Sequence, residues 1–109
     1  MGFLSEYFKE RNKEECIENE YGFITYSIHN KICYIGEFYI CPEFRRKGEG
    51  YKLADKVQDI AIKNECEYLT SQADINAGGS AGAIVTILNY GFKILKIEDG
   101  HIIKFFKEL

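Results

Sequence analysis

The spacing of apolar residues predicts three helices. Residues 51–64 give the clearest pattern, because apolar side chains recur at i, i+4, i+7 and i+8 while lysines and aspartates fall between them, as on a helix with one buried face. A weaker pattern of the same kind covers residues 3–15. A third helix is predicted for residues 81–89, with Ser80 as its N-cap and Gly91 just beyond its C-terminus.

Five segments rich in β-branched and aromatic residues predict strands, at residues 23–28, 32–40, 67–72, 92–98 and 101–107. Residues 29–31 are expected to form a tight hairpin turn between the first two strands. The dipeptide Asp99-Gly100 is a type I′ hairpin signal between the last two. Pro42 is expected to end the second strand, since proline cannot donate to a central ladder.

The predicted order is therefore helix, strand, strand, helix, strand, helix, strand, strand. It favours an α/β (α+β) fold class, with a mixed sheet and helices packed on it. The chain has 109 residues, the length of one ordinary domain, and no linker or repeat divides it. We expect one domain over residues 1–109.

Composition narrows the functional classes. The net charge of −3 speaks against non-specific nucleic-acid binding. No apolar run approaches the roughly 20 residues that span a bilayer, and the N-terminus lacks a signal-peptide pattern. Four cysteines without a C-x-x-C pair and two isolated histidines suggest no metal site. We expect a cytoplasmic protein with reduced thiols, no metal and no membrane partner.

One segment between a predicted strand and a predicted helix has the composition of a phosphate site. It comprises Arg45, Arg46, Lys47, Gly48, Glu49 and Gly50. Backbone N–H groups at a helix start have no intrahelical partner, and the helix dipole favours an anion there. Glycines permit close approach and positive φ, and the three basic side chains add counter-charge. The segment is neither a P-loop nor a complete dinucleotide fingerprint. A plain turn with solvated charges is the alternative interpretation.

Three stretches follow the signatures of one family. The segment 45–50 fits Gln/Arg-x-x-Gly-x-Gly/Ala, and residues 40–44 (Ile-Cys-Pro-Glu-Phe) stand where that family often has a strand ending Val-x-Pro-Glu-Tyr. Residues 80–83 (Ser-Ala-Gly-Ala), followed by Gly91-Phe92, fit a second signature at the expected separation. In these motifs, over roughly residues 22–107, the sequence resembles the GNAT superfamily of N-acetyltransferases.

The resemblance implies a GNAT-like acyl-CoA N-acyltransferase fold, with a central, mostly antiparallel sheet and flanking helices. It also implies an enzyme that transfers an acetyl group from acetyl-CoA to an amine. In such a protein the strand before the phosphate site diverges from its neighbour, and the pantetheine arm enters between them. By position, the arm would lie along Phe38, Tyr39 and Ile40, and the amides of residues 46–50 would hold the pyrophosphate.

The resemblance also suggests catalytic groups. Glu37 lies where some family members carry a catalytic glutamate that acts as general base, and Ser80, at the family's Asn or Ser position, could bind a water or the thiol region. Many members have, at the position of Ile87, a tyrosine that donates a proton to the departing CoA thiolate. Tyr90 follows three residues later, about 300° round the helix, and is expected to face elsewhere.

The sequence is compatible with a second function, and its short N-terminal region bears on the acceptor site. The alternative to an enzyme is a non-catalytic CoA-binding or protein-interaction module, because Ile87 cannot donate a proton. Only about 20 residues precede Phe23, so we expect an acceptor site that is shallow or completed by a partner chain. A macromolecular amine such as a protein lysine, or a homodimer, would suit such a site.

Overall fold

The computed structural model describes residues 2–109, with only the backbone for residues 2, 8, 11 and 12. The elements are α1 (Gly2–Asn12), β1 (Glu15–Glu18), β2 (Gly22–His29), β3 (Ile32–Ile40), a 3-10 turn (Pro42–Phe44), α2 (Glu49–Lys63), β4 (Tyr68–Asp74), α3 (Ser80–Tyr90), β5 (Lys93–Glu98) and β6 (Ile102–Glu108). The strands form one sheet in the order β1-β2-β3-β4-β6-β5. The β3–β4 pair is parallel and the other four pairs are antiparallel. The predicted fold class, a mixed and mostly antiparallel sheet with flanking helices, is confirmed.

The core lies between the sheet and α2. The helix buries Leu53, Ala54, Val57 and Ala61, which belong to the face predicted from their spacing. They pack against fully buried residues of the sheet, among them Ile24, Leu69 and Phe105. Burial of one leucine-sized side chain contributes about 2 kcal/mol, so this face is enough to hold α2 in place.

The N-terminal prediction was wrong in one respect. The first helix ends at Asn12 rather than residue 15, because Lys13 adopts a left-handed conformation with φ 56°. Residues 15–18 then form β1, which pairs antiparallel with β2. The segment Glu-Cys-Ile-Glu is too short and too acidic to indicate a strand by itself. Its conformation comes from pairing with β2, a tertiary interaction.

Both predicted hairpin turns are confirmed. Asn30 and Lys31, with φ of 50° and 66°, join β2 to β3. Asp99 and Gly100, with φ of 54° and 75°, join β5 to β6, and the turn closes with a 3.1 Å bond from the His101 N–H to the Glu98 carbonyl. Left-handed φ at both central residues is what a type I′ turn requires.

The start of α3 corrects another prediction. Gly79, with φ 78°, occupies the N-cap position, and Ser80 is already the first helical residue. The hydroxyl of Ser80 therefore does not cap the helix. It donates instead to the carbonyl of Ile75 at 3.0 Å and ties the preceding loop to the helix start. A glycine in the left-handed region makes the chain reversal without a side-chain cap.

Within the described part of the chain, no helix has the length and apolar character needed to cross a membrane. No group of three His, Cys, Asp or Glu side chains there converges as metal ligands would. The four cysteines are free. Cys33 and Cys66 are buried, and Cys16 and Cys41 are partly exposed.

Candidate functional site

The start of α2 presents a run of unbonded backbone donors. The helix is preceded by a turn over residues 45–48, and the N–H of Lys52 is the first along the helix to bond, to the carbonyl of Gly48 at 3.2 Å. Within the described part of the chain, the N–H groups of residues 46–50 donate no hydrogen bond. Such groups at the N-terminus of a 15-residue helix are able to bind an anion.

The basic residues of this turn divide into two roles. Arg45 donates from Nε to the carbonyl of Ile40 at 2.8 Å, and its guanidinium lies 5.5 Å from the centre of the Tyr39 ring. It thus fastens the turn to the end of β3. Arg46 and Lys47 are exposed, and neither belongs to any ion pair among the described residues. All three basic side chains thus carry positive charge at the turn, and Arg45 also fixes its position.

The two glycines of the turn are needed for different reasons. Gly48 has φ 83°, the left-handed region, and open space where a Cβ would be. Gly50 packs against β3, and a Cβ there would lie 2.7 Å from Cζ of Phe38. From the sequence, both glycines were expected to permit close phosphate approach and positive φ. Positive φ holds for Gly48 only, whereas Gly50 permits close packing of α2 on the strand.

Strands β3 and β4 diverge beside this helix start. Their parallel pairing ends at Tyr34 and Thr70. Just beyond, β3 carries a bulge, because the pairings of Ile24 with Phe38 and of Tyr26 with Ile35 leave Thr25 opposite two residues. A bulge bends its strand and strengthens its twist, which accounts for the divergence. From residue 36 to residue 39 the strand is exposed, and its edge toward β4 is available to a ligand.

The bulge is held by two side chains, those of Thr25 and Glu14, that were not among the residues predicted for the site. The N–H of Glu37 donates to Oγ1 of Thr25 at 2.6 Å, and the Thr25 hydroxyl donates to Oε2 of Glu14 at 3.3 Å. Glu14 is 7% exposed, and a Cβ on Gly36 would lie 1.8 Å from its Oε2. A glycine inside a predicted strand is a known signal for a bulge, so Gly36 could have indicated this feature. The partners of the bulge could not have been read from the sequence.

Glu37 itself has an exposed side chain on the bulge. The pKa of Tyr34 is raised, first by burial and then by the negative charges of Glu14 and Glu37. The negative charges of two carboxylates therefore lie close to the same part of β3. An exposed carboxylate beside the diverging strands can accept a proton from a group bound there.

Helix α3 supplies no hydroxyl at the family's tyrosine position. Ile87 is half-buried and packs against the core. Tyr90 faces α2, where its hydroxyl donates to Oδ1 of Asp55 at 2.7 Å. Its pKa is raised, mainly by burial and then by the bond to Asp55. The expectation that Tyr90 faces away from the site of chemistry is consistent with this contact.

Three solved structures show the same fold. The PaiA N-acetyltransferase of Thermoplasma acidophilum, in complex with coenzyme A, matches with a TM-score of 0.77 and 17% identity, covering 97% of this chain and 68% of that one. A Bacillus subtilis acetyltransferase in complex with CoA gives 0.73 and 15%, covering 97% and 82%. Ard1 from Thermoplasma volcanium gives 0.68 and 21%, covering 82% of this chain and 63% of that one. The chain thus spans less than two thirds of the length of that Ard1 protein.

The sequence comparisons agree with the fold. A search of curated proteins found no match. The model of the acetyltransferase (GNAT) family, however, matches residues 6–79, which is more than half of the chain and includes the diverging part of β3, the basic turn and all of α2. On this match, together with the shared fold, the chain belongs to the acetyltransferase (GNAT) family.

Proposed function

We propose that this protein is an acetyl-CoA-dependent N-acetyltransferase, which transfers the acetyl group to an amine. The observation that carries the proposal is the set of unbonded N–H groups of residues 46–50, placed where β3 and β4 diverge. Two structures of the same fold were solved with coenzyme A, and family membership supports the same cosubstrate.

The described residues fit this ligand. The five N–H groups, with Arg46 and Lys47 beside them, bind the pyrophosphate. Past Tyr34, β3 has no further pairing with β4, so the backbone along Phe38, Tyr39 and Ile40 is placed to bind the amides of the pantetheine arm as an added strand would. The side chain of Ile40 is buried, whereas Phe38 and Tyr39 are each 42% exposed and can contact the arm directly.

In the reaction, the protein binds acetyl-CoA, orients the acceptor amine and removes a proton from that amine. The bound thioester supplies an activated acetyl group. Glu37 accepts the proton of the attacking amine, directly or through a water, because its carboxylate is exposed on the bulge next to the diverging strands. Ser80 donates to Ile75, and its oxygen keeps lone pairs with which it can accept a bond from a water in the cleft. Positioning by the bulge and the basic turn contributes the remaining rate enhancement.

The acceptor we propose is the amine of a macromolecule, such as a protein lysine. Residues 36–39 are exposed rather than enclosed in a pocket, so the base would meet an amine on a protruding side chain. The same proposal includes three further points. Residues 1–109 form a single domain, the protein is cytoplasmic, and a second copy of the chain completes the acceptor side of the site.

Calorimetric titration of acetyl-CoA tests the binding half of the proposal. Gly48→Glu places a Cβ on a left-handed residue and a negative charge at the helix start, so it should abolish binding. Gly100→Glu is the matched control, since Gly100 is also left-handed, with φ 75° and nothing within 4 Å of its Cβ position, and lies in the β5–β6 turn. Equal loss in both variants, or no binding by the wild type, would contradict the proposal.

A second candidate is a non-catalytic member of the same fold that binds CoA and contacts a partner protein. It is favoured by Ile87 at the tyrosine position and by the engagement of Tyr90 with Asp55. A turnover assay separates the two functions. Release of CoA above the spontaneous rate with any amine supports the enzyme, and tight CoA binding without turnover across peptide and small amines supports the module.

A further inference from the structure

Ser71 is a polar residue in an apolar place. It lies on β4 between Leu69 and Ala73, the neighbours that share its face, and is 8% exposed. The Oγ atom is closed to solvent and has no hydrogen-bond partner within the described part of the chain. A buried hydroxyl without a partner destabilises a fold, so alanine would suit this position better if only packing mattered.

The sheet around Ser71 shows from which side a partner can come. On one side β4 remains paired with β6, where Ser71 lies opposite the fully buried Phe105. On the other side the pairing with β3 ends one residue earlier, at Tyr34 and Thr70. Ser71 is therefore the first residue of β4 in the diverging region.

The distance from the basic turn agrees with a ligand that spans this region. Ile40, at the end of β3, accepts the bond from Arg45 and marks the level of the turn. Ile35 follows the last paired residue and marks the level of Ser71. The five residue-to-residue steps from Ile35 to Ile40 cover about 17 Å of strand, comparable with an extended phosphopantetheine arm. A thioester anchored by its pyrophosphate at residues 46–50 would bring its sulfur end to Ser71.

We propose that the Ser71 hydroxyl donates a hydrogen bond to the thioester sulfur of the bound acyl-CoA. This inference rests on the proposed function. As the amine nitrogen bonds to the carbonyl carbon, the carbon–sulfur bond breaks and its electron pair stays on sulfur. Ser71 stabilises that thiolate while keeping its own proton, because a hydroxyl is much less acidic than a thiol. The amine proton passes to Glu37 and then to solvent. Ser71 thus takes the position of the hydroxyl that Ile87 lacks, from β4 instead of α3.

The test compares Ser71→Ala with the wild type, and with Ser27→Ala on β2 as a matched control. Three measurements are needed: thermal unfolding without ligand, affinity for CoA and for 3′,5′-ADP, and turnover with a reactive amine. We expect Ser71→Ala to unfold at the same or a higher temperature, since it removes an unpaired buried hydroxyl. Its affinity for CoA should fall about three- to tenfold, and its kcat about ten- to a hundredfold, because bonds to a developing charge are stronger. Affinity for 3′,5′-ADP, which lacks the arm, should be unchanged.

The outcomes separate this inference from the function on which it rests. Absence of CoA binding by the wild type overturns both. If the wild type binds and turns over, and Ser71→Ala does so equally well, only the role of Ser71 is overturned. A lower unfolding temperature for Ser71→Ala, with parallel losses for CoA and 3′,5′-ADP, would also overturn it, because that pattern indicates a purely structural hydroxyl.

Discussion

The backbone N–H of Glu37 donates to the side-chain hydroxyl of Thr25 over 2.6 Å. At the bulge, the Thr25 hydroxyl thus accepts the hydrogen bond that a backbone carbonyl accepts elsewhere in the ladder. Since the Thr25 hydroxyl itself donates to the buried carboxylate of Glu14, its oxygen is turned toward Glu37. A buried acid outside the central strands thus fixes the backbone of the proposed base.

Replacement of Thr25 by valine should weaken both folding and catalysis. Valine keeps the shape but leaves the Glu37 N–H and the Glu14 carboxylate without their partner, which costs about 1–3 kcal/mol in unfolding free energy. Because the base is then less well placed, kcat should fall more than the affinity for acetyl-CoA. Urea unfolding and steady-state kinetics measure the two effects. Thr70→Val, at a half-buried threonine whose hydroxyl has no partner among the described residues, should change unfolding by less than about 0.5 kcal/mol.

Alanine substitutions should separate the two glycines of the basic turn. Gly48→Ala forces a side chain into the left-handed region, at a cost of about 1 kcal/mol, with no steric clash. Gly50→Ala places a Cβ against Cζ of Phe38 and should cost about 1–3 kcal/mol through overpacking. Shortening the side chain of Phe38 should therefore restore stability to Gly50→Ala and not to Gly48→Ala. In a double-mutant cycle read by urea unfolding, Phe38→Leu should recover stability with Gly50→Ala and should be additive with Gly48→Ala. Additivity in both pairs would show that Gly50 is not in close contact with Phe38.

The sequence predicted the elements whose signals are local. The buried face of α2 and the Asp99-Gly100 turn depend on residues close in the chain, and both were confirmed. The strand β1 was missed because it forms only by pairing with β2. Ser80 was assigned a cap because serine is a common N-cap, but the preceding glycine in the left-handed region made that cap unnecessary.

In the candidate site too, the residues with a local sequence signal were predicted, and those placed by tertiary pairing were not. The basic turn of residues 45–50 was predicted, since its donors and charges are consecutive in sequence. Glu14, Thr25 and Ser71 were not, because each acquires its place from strands and loops distant in the chain. Their side chains are ordinary until the pairing of β2, β3 and β4 is known.

Tyr90 should prove structural. Tyr90→Phe removes the bond to Asp55, so the unfolding free energy should fall by about 1 kcal/mol while kcat stays within about twofold of the wild type. Tyr51→Phe is the matched control, because Tyr51 stacks near Tyr90 with ring centres 5.8 Å apart. A large loss of kcat in Tyr90→Phe alone would instead place its hydroxyl at the reacting groups. Unfolding curves and a CoA-release assay give both quantities.

The stability of the fold should decline above pH 9 partly because of Cys33. Burial raises the pKa of its thiol from 9.0 to about 12, and the nearby Cys66 adds to the shift. Between these values the unfolded chain loses a proton that the folded chain retains, so the unfolded state binds fewer protons and stability falls as pH rises, by on the order of 1 kcal/mol per pH unit. Cys33→Ala should therefore lose less stability than the wild type between pH 9 and 10.5, in urea unfolding under reducing conditions. Between pH 6 and 8 the two pH dependences should run parallel, which provides the internal control. If they remain parallel up to pH 10.5, the thiol of Cys33 is not protected by the folded core.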